Sequence, residues 1–147
     1  QANTLDRSSR ITGKGDWSKI KPLFPDRLAE AARFYKHHGF LPVNHAYIIR
    51  GDIHRKHPWL AGKLYDGFVR AKAFTQEKLA EQIPTALIFG QEYLAVTRAL
   101  IGDDPFPFGI KANRAMLDTI ISYSHEQGLT PRQMKVEEIF AEGTLDT

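Results

Sequence analysis

Apolar residues recur along this chain mostly at helical spacing. In "FPDRLAEAARFYKHHG", Leu28, Ala31, Ala32 and Tyr35 fall on one stripe. Pro25 and Asp26 stand at its start and Gly39 follows its end, which predicts a helix up to residue 38. A longer helix is predicted from Pro58 to Gln82, where Leu60, Leu64, Phe68 and Ala71 share a face. Pro84 is expected to break it, and a further helix over Thr85–Ile101 is expected to stop at Gly102. "IKANRAMLDTIISYSHEQG" is the clearest amphipathic stretch. Asn113, Leu117, Ile120 and Ser124 form its stripe, Met116 and Ile121 flank it, and Gly128 ends it. "TPRQ" has the spacing of a capping box, with Thr130 as N-cap, Pro131 first and Gln133 third, and predicts one more helix. The tail "FAEGTLDT" reads as extended.

Only "FLPVNHAYIIR" reads as a strand, being rich in β-branched and aromatic residues. Alternation places Val43, His45, Tyr47 and Ile49 on one face and Asn44, Ala46, Ile48 and Arg50 on the other. Both faces are largely apolar, which suits a central strand covered on both sides. Residues 1–24 are polar, contain Gly13, Gly15 and Pro22, and read as irregular or as a peripheral strand and loop. One strand cannot make a sheet. Its partners are expected in residues 1–24, in the tail, in another copy, or in a part of the protein outside this chain.

Composition narrows the chemistry. At 147 residues the chain suffices for one domain with a core. It has no cysteine, which excludes disulfides, thiolate zinc sites, Fe–S clusters and cysteine nucleophiles. No apolar run approaches the roughly 18 residues a membrane span requires. The net charge of +3 is uneven: residues 1–58 hold eleven Lys or Arg against five Asp or Glu, and residues 59–147 nine against twelve. The basic half lacks a dense Lys/Arg run, a zinc-finger spacing or an aromatic-glycine RNA-binding motif, so no nucleic-acid partner is expected. The chain begins Gln1-Ala2-Asn3, without an initiator Met or a signal-peptide pattern. Either something precedes it or it is a piece of a longer chain.

Three of the six histidines, His45, His54 and His57, fall within residues 39–60. His54 and His57 have i, i+3 spacing, but no HExxH motif and no third ligand accompany them, so a helix start rather than a metal site is expected. His37 and His38 sit at a helix C-terminus, where a cation meets the dipole favourably. "DDPFPFG", stiffened by two prolines before a helix start, can line a pocket with Phe106 and Phe108 or pack them into the core.

Six stretches taken together resemble one family: "LFPD", "LPVNHAYIIR", "HPWLAGKLYDGFVRAK", "GDDPFPFGIKANR", "YSHEQGL" and "EEIFAEGTLDT". They are similar to the C-terminal part of 4,5-dihydroxyphthalate decarboxylase-like proteins, of the type II periplasmic-binding-protein superfamily. The resemblance runs from about Leu23 to Thr147. It implies an α/β fold, here partial and helix-rich, with residues 1–38 ending one lobe. Residues 39–147 would supply a crossover strand and the C-terminal helices of the other. It also implies cofactor-free decarboxylation of a hydroxylated aromatic acid. The same fold serves solute-binding subunits of ABC transporters for small organic anions, and a fragment lacking half the cleft would do neither alone.

Such a decarboxylation needs a proton donor, cations for the carboxylates and a dry pocket. By the resemblance, His45 matches the family's strand histidine and is the catalytic candidate. Its lead is Pro42-Val43-Asn44, where the family has a Pro-Ile-Met-like lead. Arg114 and Asn113 match the family's Asn-Arg pair. Arg114 can hold a carboxylate or pair with Asp118 at i+4. Arg50 and Arg98 are further carboxylate candidates. The expected partner is a small aromatic or organic anion. A homo-oligomer, or association with an N-terminal part, would cover faces left bare by an absent sheet. The expected location is cytoplasmic, or periplasmic if an upstream region carries a signal peptide.

Overall fold

The computed structural model describes residues 21–42 and 45–147, with backbone alone at Ala80, Pro84 and Thr85. The expectations for residues 1–20, and for Val43 and Asn44, lie outside it. The chain divides into two units, Gln1–Arg33 and Phe34–Thr147.

Helix α1 (Arg27–His38) crosses that boundary. It opens where Asp26 Oδ1 accepts the Ala29 N–H at 2.9 Å, a side-chain N-cap. It ends at Gly39, whose φ of 73° suits glycine and whose N–H reaches the Tyr35 carbonyl at 2.8 Å.

The second unit continues with α2 (Gly51–Lys56), α3 (Leu60–Ala86), α4 (Gly90–Ile101), α5 (Ile110–Glu126), α6 (Val136–Ile139) and a 3₁₀ turn at Glu142–Thr144. The long helix carries Pro84 in its last turn and ends two residues later, not before the proline. The α3–α4 corner follows from Gly90. A Cβ there would lie 2.5 Å from Ile83 Cγ2 and 3.0 Å from Leu87 Cβ, so only glycine lets α4 start this close. The sequence expectation of a helix from Thr85 is thereby shifted to Gly90.

The core lies between α5, α6 and the tail. Ile110, Ile121 and Val136 are buried, with Leu117, Met134, Phe140 and Leu145 packed against them. The buried stripe of α5 is thus rotated from the expected one: Ile121 is inside and Ile120 exposed. α5 ends in a Schellman motif, Leu129 N–H to Ser124 O at 2.9 Å and Gly128 N–H to His125 O at 2.9 Å. Residues 130–135 are not helical. The next helix starts at Val136, where Glu138 accepts the Lys135 N–H at 2.7 Å. Thr130 therefore caps no helix. A four-residue helix two turns further on uses the reaching-back half of the expected motif. The tail is not extended either. It turns at Glu142–Thr144 and brings Thr147 to the N-terminus of α5, where Lys111 N–H meets Thr147 O at 2.7 Å and Ile110 N–H meets Thr147 Oγ1 at 3.3 Å. Gly109 has no side chain to cap α5, and Thr147 satisfies those orphan donors instead.

The α/β expectation is overturned. Among the described residues there is no strand or sheet, and every regular element is helical. The described residues of the segment predicted as a central strand, 40–42 and 45–50, are in no strand, and His45, Ala46, Tyr47 and Ile48 are exposed. Alternation and β-branched composition report a backbone that prefers to be extended. A strand also needs neighbours for its N–H and C=O groups. No described segment supplies them.

Candidate functional site

Helix α3 carries Tyr65, Phe68 and Lys72 at i, i+3 and i+7, close to one face. Two segments dock there. Tyr47 stacks on Phe68, with ring centroids 4.1 Å apart and 19° between planes. This holds Tyr47, two residues after His45, against α3. One turn on, Lys72 anchors the Pro-Phe-Pro-Phe loop. Its Nζ donates to the Asp104 carboxylate and to the Phe106 carbonyl, each at 2.6 Å, and sits 4.5 Å from the centre of the Phe108 ring.

The loop is also held from its other side. Asn113 Nδ2 donates to the Pro107 and Gly109 carbonyls, both at 2.8 Å. Gly109 has φ of 97°, and a Cβ on it would lie 2.8 Å from the Thr147 carbonyl carbon and 3.1 Å from the Tyr65 hydroxyl. The loop is therefore fixed by Lys72, Asn113 and the tail together. It presents its aromatic rings outward: Phe106 is 68% and Phe108 43% exposed. The alternative of two phenylalanines packed in the core does not hold.

The arginines are placed apart and each already has a carboxylate. Arg50 pairs with Asp52 at 2.8 Å and Arg98 with Asp103 at 3.3 Å, both at the surface. Arg114 binds Glu137 at 2.5 Å and Asp118 at 3.1 Å, so the i+4 pairing with Asp118 is present. The Glu137 bond first and the Asp118 bond second raise the Arg114 pKa, and the Arg114 bond holds Glu137 below the usual carboxylate range. Both carboxylate partners of Arg114 are thus protein side chains. His45 is exposed on its unpaired segment. His54 is half-buried, and its Nδ1 is buried without a hydrogen-bond partner. His57 meets the Trp59 ring edge-on at 5.9 Å. Among the described residues no three potential metal ligands converge. No helix among them is long and apolar enough to cross a membrane.

The structure thus places Tyr47, two residues after His45, and the Phe106–Phe108 loop against α3, with Asn113 holding that loop from α5. It leaves Arg50, Arg98 and Arg114 in their own ion pairs. Sequence reasoning passed over Tyr47, Tyr65, Phe68 and Lys72 as site residues. The i, i+3, i+7 pattern of the last three was visible, but nothing local says that a loop more than thirty residues later would fold onto it.

The sequence is 29% identical over 131 residues to the 4,5-dihydroxyphthalate decarboxylase of Comamonas testosteroni. This chain is a distant relative of that protein. The match takes in 88% of the chain and 40% of the decarboxylase, so the chain spans about two fifths of the length of the curated relative it matches. No family model matches.

Proposed function

We propose that this chain is the C-terminal portion of a decarboxylase acting on a hydroxylated aromatic acid of the dihydroxyphthalate class. The relationship over 88% of the chain to a protein named for that activity is the observation that carries the reading. The α3 face supports it as a place for an aromatic ligand. Phe106 and Phe108 offer ring surface on a loop held in place by Lys72 and Asn113. His45, on the neighbouring segment, supplies the proton. Arg50 and Arg98 are each held by one exposed carboxylate, a pair worth little in water, so a substrate carboxylate can replace it.

The reaction balances without an external oxidant or reductant. A protonated imidazole delivers H⁺ to the ring carbon bearing the leaving carboxylate. The hydroxyl para to that carbon donates electron density and stabilises the cationic ring. The bond to the carboxylate then breaks, its electrons restore the aromatic sextet, and carbon dioxide leaves. The histidine recovers its proton from solvent.

The chain, alone and joined to the remaining part of the decarboxylase, is to be incubated with 4,5-dihydroxyphthalate. Equal amounts of carbon dioxide and 3,4-dihydroxybenzoate are expected, and His45→Ala should lower the rate by roughly 10²–10⁴-fold. An unchanged rate in His45→Ala removes that residue from the chemistry. No carbon dioxide from either form overturns the reading.

A further inference from the structure

The loop between α4 and α5 opens with two adjacent aspartates, and each meets a different cation. Asp104 is locked in place. Lys72 Nζ donates to its carboxylate and to the Phe106 carbonyl, each at 2.6 Å, and the same carboxylate accepts the Phe106 N–H at 3.3 Å. Both backbone groups of Phe106 are thereby taken, and the Lys72 side chain is only 18% exposed. Asp103 is held loosely. Its side chain is 93% exposed and lies 3.3 Å from Arg98 Nε, longer than the roughly 2.7–2.9 Å of a strong charge-assisted bond. The Gly102 N–H, at a φ of 102°, bonds the Arg98 carbonyl at 2.9 Å and ends α4 one residue before Asp103.

The two pairs respond differently to an incoming anion. The shielded Lys72 ammonium holds Asp104 and Phe106 and lies 4.5 Å from the centre of the Phe108 ring, so drawing it away would release the loop. The Arg98–Asp103 contact is open to water, where such a pair is worth little, and a ligand carboxylate can replace it. Phe106 follows Asp103 by three residues, a backbone span of at most about 11 Å. Arg98 is therefore tied to the loop that carries the exposed rings. Arg50 and Arg114 pair with Asp52, Asp118 and Glu137, none of which belongs to this loop.

We propose that the two aspartates act in opposite directions on an aromatic carboxylate. Lys72, through Asp104, is a positioning residue that holds Phe106 and Phe108 as the ring wall, whereas Asp103 competes with the ligand for Arg98. This rests on the reading of the α3 face as the place of an aromatic acid. The probe is phthalate, the same ring diacid without the hydroxyls that assist loss of carbon dioxide. It is titrated calorimetrically into the chain, alone and joined to the remaining part of the decarboxylase. Asp103→Asn should tighten binding roughly 2- to 5-fold, a gain that misfolding does not produce. Lys72→Met and Asp104→Ala should each weaken it roughly 10-fold or more. The second loss comes despite removal of a negative charge, which separates positioning from bulk attraction. Asp104 is exposed, so its variant keeps this arm testable if Lys72→Met unfolds. Glu81→Gln removes the same charge from an exposed pair with Lys78 on α3 and should change nothing. The proposal is overturned by no gain in Asp103→Asn, an equal gain in Glu81→Gln, no loss in Asp104→Ala, or no phthalate binding by the parent in either form. The expected pattern without carbon dioxide release from 4,5-dihydroxyphthalate supports the loop assignment while overturning the decarboxylase reading. Carbon dioxide release without the pattern does the reverse.

Discussion

Val136 and Ile48 are both β-branched aliphatics, and the protein treats them oppositely. Val136 is fully buried, closed over by α5 and the tail, while Ile48 is 94% exposed on a stretch whose described residues are in no strand. Around Val136 the chain supplies its own cover: Ile110 and Ile121 from α5, Phe140 and Leu145 from the tail. Around Ile48, and again at the α3–α4 corner, it does not. Among the described residues most of the buried apolar side chains therefore lie in the C-terminal third, and the bare ones elsewhere contribute little to stability.

The sharpest way to break this comparison is to place a carboxylate at each of the two positions. Val136→Asp buries a charge without a partner and should cost about 4 kcal/mol or more. Ile48→Asp should stay within about 0.5 kcal/mol. Urea unfolding followed by circular dichroism measures both, and equal losses would end the distinction.

Glycine substitutions probe the same contrast at smaller scale. Gly109 and Gly128 both have positive φ, but a Cβ at Gly109 meets the Thr147 backbone at 2.8 Å, whereas one at Gly128 meets nothing within 4 Å. Gly109→Ala should cost about 2–4 kcal/mol by adding displacement of the tail to backbone strain, and Gly128→Ala about 1 kcal/mol from strain alone. Thermal unfolding of the two variants orders them. The reverse order would mean that the tail does not clamp α5.

The smallest effect is electrostatic and lies at the edge of the well-packed region. The Arg132 guanidinium first, and then the Lys135 N–H, hold the Glu138 carboxyl down from 4.5 to about 2. A depressed pKa stabilises the folded state above the ordinary value of 4.5, and that contribution fades as pH falls towards 2. Between these limits the parent chain should lose thermal stability more steeply than Glu138→Gln, with the two curves converging near pH 2. Parallel curves across this window would remove the Arg132–Glu138 pair from the stability of the region.

Much of the helical layout was legible because its signals are local. Gly39, Gly102 and Gly128 end helices where they were expected to, since a positive φ is a property of the residue itself. Asp26 likewise opens α1 through a side chain that reaches only three residues. The Arg114–Asp118 pair follows from i+4 spacing alone. Signals that depend on a partner were misleading. "FLPVNHAYIIR" has strand composition but no described neighbour to pair with, Thr130 has a capping-box spacing but no helix to cap, and the α5 stripe is turned so that Ile121 rather than Ile120 meets Val136.

The candidate site divides in the same way. The Pro-Phe-Pro-Phe loop and Asn113 were readable as a rigid element before a helix. That Asn113 closes this loop by bonding two of its carbonyls was not. Lys72 stands more than thirty residues from its partners Asp104 and Phe108, and Tyr65 is even further from Gly109, whose Cβ position its hydroxyl meets. By itself the sequence determined where the backbone turns, which stretches coil, and which residue types are available for chemistry, because those follow from steric and hydrogen-bonding rules within a few residues. Tertiary structure alone decided which apolar residues are covered, which cations are already paired and which rings face water. Burial and charge pairing depend on segments that meet only after the chain has folded back on itself.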